Sequence, residues 1–497
     1  MCVMGTDAGI FSTAVGDELG RIVDAALRGE ATRAQAARVY EMGPEAVCAF
    51  VLAVAARAGE LRAADTPGPH TPSGSIPPYA KASSRGRRGG KPGGQEGHEG
   101  RRRPTPVPDE RVELERLTTC PECDTQVRPV SRRRRRLIED MPEDTRVVAT
   151  EYSIPSHWCP CCRRHVEPRV SAALPRAAIG NRLAAMSVVF HYGLGLTIDQ
   201  TREVLSSPLR THISAGGLVD LWRRIAEVLL PWYERIGEGA RNSAVLHADE
   251  TGWRVDGGTH WLWCFANHEH CYYMIDAGRG NGALGRFFTE AFEGVLIHDF
   301  WRPYASVMLG GGGEHQCCLV HLLRELDDVD QNKLPHKSPD RAEEWSSFVQ
   351  TLRRLLKDGI RLRRRPGFTP ETHRSRITRI DQRLQRLHDA EYDDPDACRL
   401  AKRLRRHTDE LFTFLDRPEA DWNNNLAERM IRPAVILRKN SQCNRSQRGA
   451  ATQAVLMTIH RTLKLRGHDP RQTIADALTA YAETGTLPEP PKAVERG

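Results

Sequence analysis

The sequence predicts a multidomain α/β protein in which a mixed sheet follows an N-terminal helical region and a cysteine-rich module. Its length of 497 residues exceeds that of one ordinary domain. Residues 244–330 alternate short β-branched or aromatic runs with helical patterns, which is typical of a mixed sheet covered by helices. Two closely spaced cysteine pairs precede this region and indicate a separate small module.

The first hundred residues contain a helical region and a linker. Residues 1–65 are predicted to be helical, because apolar side chains such as Leu19, Ile22 and Val23 recur at helical spacing. Residues 66–110 are rich in Pro, Gly, Ser and Arg, which is the composition of a linker without a packed core.

The net charge of +8 is concentrated in one segment. Residues 81–136 hold 16 Lys and Arg against 8 Asp and Glu, so the rest of the chain is close to neutral. A concentrated basic segment favours a polyanion partner, because displacing counterions from phosphates drives binding, although a solvated linker has the same composition. No apolar run is long enough for a membrane span, and the N-terminus lacks a signal peptide pattern. We therefore expect a cytoplasmic protein.

Two Cys-x-x-Cys pairs in residues 111–172 predict a zinc ribbon, with 35 residues between the second and third cysteines. The spacing selects as ligands Cys120, Cys123, Cys159 and Cys162. Cys161 competes as the fourth ligand, and two pairs of reduced core thiols are the alternative. Four cysteine ligands leave no open coordination position, so this Zn²⁺ is expected to be structural.

Helical patterns flank the predicted sheet region. Residues 173–240 include one short helix after Thr197 and a second that is expected to end near Ile225, either as a DNA-binding helix-turn-helix or as a packed pair that binds nothing. The sheet domain is placed at residues 241–450, with a helical insertion at about 335–418 and a helical tail at 451–497. In the insertion an apolar stripe predicts a packed face, formed by Ile377, Ile380, Leu384 and Leu387.

Three carboxylates carry the predicted chemistry. Residues 244–248 are predicted to form a strand that ends at Asp249, and residues 294–298 a strand that ends at Asp299. Sites collect at strand ends in α/β sheets, and Glu428 lies at a helix start rich in Asn and Arg. Single Asp residues after strands often cap turns. Together, however, three carboxylates can hold two Mg²⁺ or Mn²⁺ ions for phosphoryl transfer.

Several motifs resemble the IS66 family of insertion-sequence transposases, from the linker to about residue 485. They are Gly-Lys-Pro-Gly-Gly-Gln-Glu-Gly-His at 90–98, the cysteine pairs, His-Ala-Asp-Glu-Thr-Gly-Trp at 247–253, Asn-Asn-Leu-Ala-Glu-Arg-Met-Ile-Arg-Pro at 424–433, Arg-Lys-Asn at 438–440, and Cys318, His321 and Arg324. The combination is far more specific than any single motif.

The resemblance implies an RNase H-like catalytic core and a DDE triad of Asp249, Asp299 and Glu428. It implies metal-dependent cleavage of double-stranded DNA at the element's terminal inverted repeats, followed by strand transfer into target DNA. His321 and Arg324 are candidates for supporting the site. The candidates for DNA contacts are Lys91, Arg132, Arg133, Arg134, Arg429, Arg432, Arg438 and Lys439.

The resemblance also implies a bacterial, nucleoid-associated protein that forms a homo-oligomer on DNA and works with companion proteins of the element. Two alternatives share the same motifs. One is an inactive, domesticated transposase that only binds DNA, and the other is a metal-dependent nuclease that cleaves DNA without strand transfer.

Overall fold

The computed structural model describes residues 147–494 without a break. Before them it describes residues 22–26, 32–43, 46–48, 50–51, 53–54, 107–108, 111, 122, 124–126, 128 and 138. The chain divides into two compact units. Among the described residues, the first includes 233–435 and 444–454, and the second includes 147–232, 436–443 and 455–494.

The strands with defined bounds are β1 (His157–Cys159), β2 (Arg164–Val166), β3 (Val245–Val255), β4 (Gly258–Ala266), β5 (Cys271–Asp276), β6 (Val295–His298) and β7 (Glu314–Cys317). The α-helices with defined bounds are α1 (Arg33–Glu41), α2 (Asn181–Val188), α3 (Ile198–Ser206), α4 (Ala215–Arg241), α5 (Asn281–Phe287), α6 (Leu319–Asn332), α7 (Pro339–Arg363), α8 (Pro370–Asp389), α9 (Pro395–Arg406), α10 (Thr413–Asp416), α11 (Asn425–Ser441), α12 (Gln447–Leu465) and α13 (Pro470–Thr484).

A five-stranded mixed sheet lies at the centre of the first unit, which confirms the predicted mixed α/β class. The strand order is β5-β4-β3-β6-β7. Strands β3, β4 and β5 pair antiparallel, whereas β3, β6 and β7 pair parallel. The two residues between β3 and β4, Asp256 and Gly257, both have positive φ, as a tight type I′ hairpin requires.

The predicted end of the first strand is wrong. Strand β3 does not stop before Asp249 but continues to Val255, and it is 11 residues long. The reason is the antiparallel pairing with β4, which extends in register from His247 opposite Ala266 to Val255 opposite Gly258. Asp249 therefore lies inside a strand, beyond the segment that pairs with β6.

Each face of the sheet packs against its own apolar cluster. On one face, Val295 and Ile297 join a cluster with residues of α6 to α9. On the other face, Leu246 and Leu296 join a cluster that includes Phe265 and residues of α5. Because side chains alternate between the two faces along a strand, both clusters are built from the same short strands.

The helical insertion packs on the first of these clusters through α7, α8 and α9. The predicted apolar stripe on α8 is confirmed, since all four of its members are buried. Two of the arginines beside it form ion pairs, Arg374 with Asp416 and Arg383 with Asp358. These two arginines therefore have carboxylate partners within the insertion.

The second unit contains the β1–β2 hairpin and several helices. Asn181, at the start of α2, donates hydrogen bonds to the carbonyl of Ser171 at 2.8 Å and to the hydroxyl of Thr479 on α13 at 3.1 Å. The expected helix end near Ile225 is wrong, because α4 continues to Arg241 and is 27 residues long. Among the described residues, no helix is both long and apolar enough to cross a bilayer.

A buried ion cluster should stabilise the insertion. Glu325 on α6 is 5 % exposed and accepts hydrogen bonds from Arg399 and Arg403 of α9. Glu325→Ala should lower the free energy of unfolding by about 3 kcal/mol, because it removes the buried carboxylate to which the 14 % exposed Arg403 donates, whereas Arg399 keeps its contact with Asp396. Urea denaturation followed by circular dichroism measures this change, with the exposed Glu343→Ala as control. Equal midpoints for the two variants would contradict the assignment.

Candidate active site at the sheet edge

Asp249 lies on β3, and Asp299 directly follows the neighbouring parallel strand β6. Val245 pairs with Val295 and His247 with Ile297, so the same offset brings Asp249 beside Asp299, two residues further along. Residues at matching positions of parallel strands point to the same face, and both carboxyl groups are half-buried. The fold thus brings two of the three predicted carboxylates together.

Burial and neighbouring carboxylates raise the pKa of both carboxyl groups. Burial, followed by the negative charges of Glu250, Asp299 and Glu428, raises the pKa of Asp249 well above its usual range. Burial and the charge of Glu250 raise the pKa of Asp299 to about 7, although the backbone N–H of Trp301 donates to its Oδ1 at 2.9 Å. The edge is therefore a partly desolvated set of oxygen donors with excess negative charge, which suits a hard divalent cation.

Glu250 has its own hydrogen-bond and ion-pair partners, which differ from those of Asp249, Asp299 and Glu428. Its carboxylate is buried, accepts a hydrogen bond from the hydroxyl of Tyr304 at 2.6 Å, and pairs with Arg279 at 2.9 Å. The Arg279 guanidinium lies between two aromatic rings, 4.3 Å from the Trp261 centroid and 4.2 Å from the Trp301 centroid. Glu250 thus has a fixed orientation and a dedicated counter-charge.

Glu428, the third predicted carboxylate, lies on the first turn of α11. Its Oε1 is 3.0 Å from Nη1 of Arg324 and 3.6 Å from Nε2 of His321, and Nη2 of Arg324 donates to its Oε2 at 3.4 Å. His321 and Arg324 are three residues apart on α6, so they face the same side of that helix. The structure therefore brings both predicted supporting residues into contact with Glu428.

Asn424 connects the two motifs that carry these carboxylates. Its side-chain amide donates to the carbonyl of Ala248 at 2.7 Å, and its Oδ1 is 3.1 Å from Nδ1 of His247. Its backbone N–H donates to the sulfur of Cys318 at 3.1 Å, just before α6. Because the backbone N–H of Glu428 donates to the carbonyl of Asn424 at 3.2 Å, the helix that carries Glu428 is fixed to the strand that carries Asp249.

The three predicted carboxylates are more widely spread than the ligands of one compact ion. The oxygens of Asp249, Asp299 and Glu428 do not all lie within 4.8 Å of one another. Two ions about 3.5–4 Å apart need a wider spread of carboxylates than one ion does.

The second cysteine pair lies in the β1–β2 hairpin. Cys159 is the last residue of β1, and the backbone N–H of Cys162 donates to its sulfur at 3.4 Å. Hydrogen bonds from Cys162 lower the pKa of the Cys159 thiol, which favours the thiolate that binds metal. The first pair, Cys120 and Cys123, lies outside the described residues, so the zinc ribbon stays a prediction.

The predicted DNA contacts divide in a similar way. Lys91, Arg132, Arg133 and Arg134 lie outside the described residues. On α11, Arg429, Arg432 and Lys439 are exposed. Arg438 is half-buried, and burial lowers its pKa. The three exposed residues can reach a phosphate more easily than Arg438 can.

Sequence reasoning did not find Glu250, Arg279 or Asn424 as parts of the site. Glu250 follows Asp249 directly, but nothing in a single sequence distinguishes a buried carboxylate with an arginine partner from a capping residue. Asn424 is the first residue of the motif at 424–433, but no function for its side chain follows from the sequence. The sequence places it directly before the helix, where Asn commonly caps the first turn, but the Asn424 side chain contacts Ala248 and His247 instead.

Removal of the Asn424 side chain should disrupt the site through the backbone. Asn424 is 1 % exposed, so Asn424→Ala leaves the carbonyl of Ala248 and the ring of His247 without their partner. We expect a loss of about 1–3 kcal/mol in the free energy of unfolding, measured by thermal denaturation. The exposed neighbour variant Asn425→Ala is the control. An unchanged transition for Asn424→Ala would refute this linking role.

Comparison with known proteins assigns the chain to a family. A family model described as "Transposase IS66 family" matches residues 176–452, which is more than half of the chain. Two similar proteins come from Sinorhizobium fredii (strain NBRC 101917 / NGR234), and both are described as uncharacterized. Protein y4qI is 26% identical over 337 residues, 61% of this chain and 59% of y4qI. Protein y4jD is 25% identical over 369 residues, 67% of this chain and 69% of y4jD.

The matched region contains the sheet, the insertion and all three carboxylates, Asp249, Asp299 and Glu428. It also contains the two contacting motifs around His321 and Asn424. The predicted family is therefore confirmed, and the chain belongs to the IS66 family of transposases.

Proposed function

We propose that this protein is a DDE transposase that cleaves DNA at the ends of its element and transfers the freed strand into target DNA. The observation that carries the proposal is the parallel register of β3 and β6, which sets Asp249 beside Asp299 at the sheet edge. Membership of a transposase family gives the substrate class. The negative charge of Glu428 helps to raise the pKa of Asp249, which supports Glu428 as the third acid.

We assign the sheet to the RNase H-like class. Three antiparallel strands followed by two parallel strands, in the order β5-β4-β3-β6-β7, support this assignment. In this arrangement the first acid lies on the central strand and the second follows the adjacent parallel strand. The third acid comes from a helix that begins after the insertion, at Asn425.

Asp249, Asp299 and Glu428 would hold two Mg²⁺ or Mn²⁺ ions. When bound, such ions lower the pKa of an attacking water or 3′-hydroxyl and stabilise charge on the leaving oxygen. The chain's own contribution is to hold the three acids in position. The Asn424 side chain does this through its hydrogen bond to the carbonyl of Ala248, and the backbone N–H of Trp301 does it through its hydrogen bond to Asp299.

The cations around the acids have two separate tasks in this proposal. Arg279 neutralises Glu250, which leaves Asp249 and Asp299 as the acids without an ion-paired arginine among the described contacts. Arg324 and His321 position Glu428 through direct contacts. Arg324 is half exposed, so it can also reach a phosphate oxygen when Glu428 turns toward the ions.

DNA binding would involve several parts of the chain. The exposed Arg429, Arg432 and Lys439 lie on the helix that carries Glu428, close to the expected path of the phosphate backbone. We propose that Cys120, Cys123, Cys159 and Cys162 form a structural zinc site, and that this ribbon and the basic linker bind the terminal inverted repeats. Synapsis of two element ends requires a homo-oligomer on DNA, with companion proteins of the element as further partners.

The test is strand cleavage and joining on labelled element-end DNA with Mg²⁺. Asp249→Asn, Asp299→Asn and Glu428→Gln should each reduce product formation by at least about a thousandfold, because each removes a ligand charge needed at the transition state. Asp256→Asn is the matched control, since Asp256 is an exposed acid in the turn of the same β3–β4 hairpin.

DNA affinity, measured by fluorescence anisotropy, separates the outcomes. The proposal expects all four variants to bind element-end DNA as the wild type does. If Asp299→Asn still forms product, Asp299 is not the second catalytic acid. Binding without any cleavage by the wild type would favour an inactive DNA-binding protein, and cleavage without joined product would favour a nuclease.

A further inference from the structure

A second group of metal-ligand side chains lies apart from the catalytic acids. Cys317 is the last residue of β7 and is fully buried. His407 follows α9, and Glu410 ends the short 3-10 helix Thr408–Glu410. Among the residues that the structure describes, this trio is the set of three potential ligands whose donor atoms all lie within 4.8 Å of one another.

The distances within this trio approach those of a tetrahedral site. The Cys317 sulfur is 3.7 Å from Nδ1 of His407 and 3.2 Å from Oε2 of Glu410. His407 Nδ1 is 2.7 Å from the same Oε2. Ligands bound tetrahedrally at zinc bond lengths are roughly 3.3–3.5 Å apart. The two sulfur contacts lie within a few tenths of an ångström of this spacing, and the His407–Glu410 contact must open by about half an ångström.

The donor chemistry differs from that of the catalytic edge. A thiolate, an imidazole and a carboxylate together favour a borderline-soft ion such as Zn²⁺, whereas Mg²⁺ prefers oxygen ligands alone. We propose that Cys317, His407 and Glu410 bind one divalent transition-metal ion of the zinc class. This site is additional to the predicted zinc ribbon and to the catalytic ions, and it does not depend on the proposed reaction.

A fourth ligand is available beside the trio. His298 and His315 lie on the neighbouring strands β6 and β7, with Nε2 of His298 3.0 Å from Nδ1 of His315. Both imidazoles interact electrostatically with Glu410 and His407. These two imidazoles are the candidates for the fourth ligand of a four-coordinate site, which is the usual number for structural zinc.

The bound ion would fix the end of the helical insertion to the sheet. Cys317 belongs to the sheet, whereas His407 and Glu410 lie 90 or more residues later, where the chain leaves α9. His298, beside the trio, directly precedes Asp299. The alternative is a metal-free hydrogen-bonded cluster, in which the Cys317 thiol and His407 both donate to Glu410.

Metal content decides between these two readings. The full-length chain carries Cys159→Ser, Cys161→Ser and Cys162→Ser, so that the predicted zinc ribbon loses every cysteine of the hairpin and keeps only Cys120 and Cys123. It is loaded with Zn²⁺, passed over a chelating resin in excess Mg²⁺, and analysed by atomic absorption. Co²⁺ loading adds a second readout, because a thiolate ligand gives a near-ultraviolet charge-transfer band that carboxylates do not.

The proposal expects about one retained ion per chain and a thiolate–Co²⁺ band in this background. Adding Cys317→Ser should abolish both, whereas adding Cys398→Ser on α9 should change neither. His407→Gln should weaken retention at least about tenfold even if Cys317→Ser fails to fold. Two results would overturn the proposal in favour of the hydrogen-bonded cluster. One is that the background protein retains no ion, and the other is that Cys317→Ser and His407→Gln retain as much metal as the background protein does.

Discussion

The parallel pairing of β3 with β6 is the constraint on which the candidate site depends. It brings Asp249 on β3 close to Asp299, which directly follows β6, so that the charge of Asp299 acts on Asp249. Two carboxylates so placed repel each other, and burial increases the cost of their charge. The surrounding structure must therefore hold the strands in register against this repulsion. The apolar clusters on both faces do so, since they bury Leu246, Val295, Leu296 and Ile297 completely.

Around this pair the chain distributes its cations and amides with separate functions. Arg279, between two tryptophan rings, neutralises Glu250 and takes no part in the contacts of Glu428. Asn424 fixes the start of α11 to β3 through the carbonyl of Ala248, and Arg324 approaches Glu428 from α6. Elements from three distant parts of the sequence thus meet at one sheet edge. This convergence explains why the motifs around Asp249, His321 and Asn424 occur together in one chain.

Much of the site could be predicted from local patterns, because strand ends and helix starts have signals in the sequence. The strand before Asp299 and the stripe from Ile377 to Leu387 both formed as expected. The extension of β3 through Asp249 could not be predicted, since it depends on pairing with β4 rather than on its own residues. The Arg279–Glu250 pair and the Cys317 cluster join residues 29 and about 90 positions apart, and a single sequence has no signal for such contacts.

Counting bound Mn²⁺ by electron paramagnetic resonance tests the central claim most directly. The free Mn²⁺ signal falls as ions bind, so uptake by the protein with element-end DNA gives the number of sites. The account predicts uptake of about two ions per chain, lost in Asp249→Asn and Asp299→Asn and retained in Asp256→Asn. Equal uptake by all these variants would contradict it, because the paired aspartates would then not be the ligands.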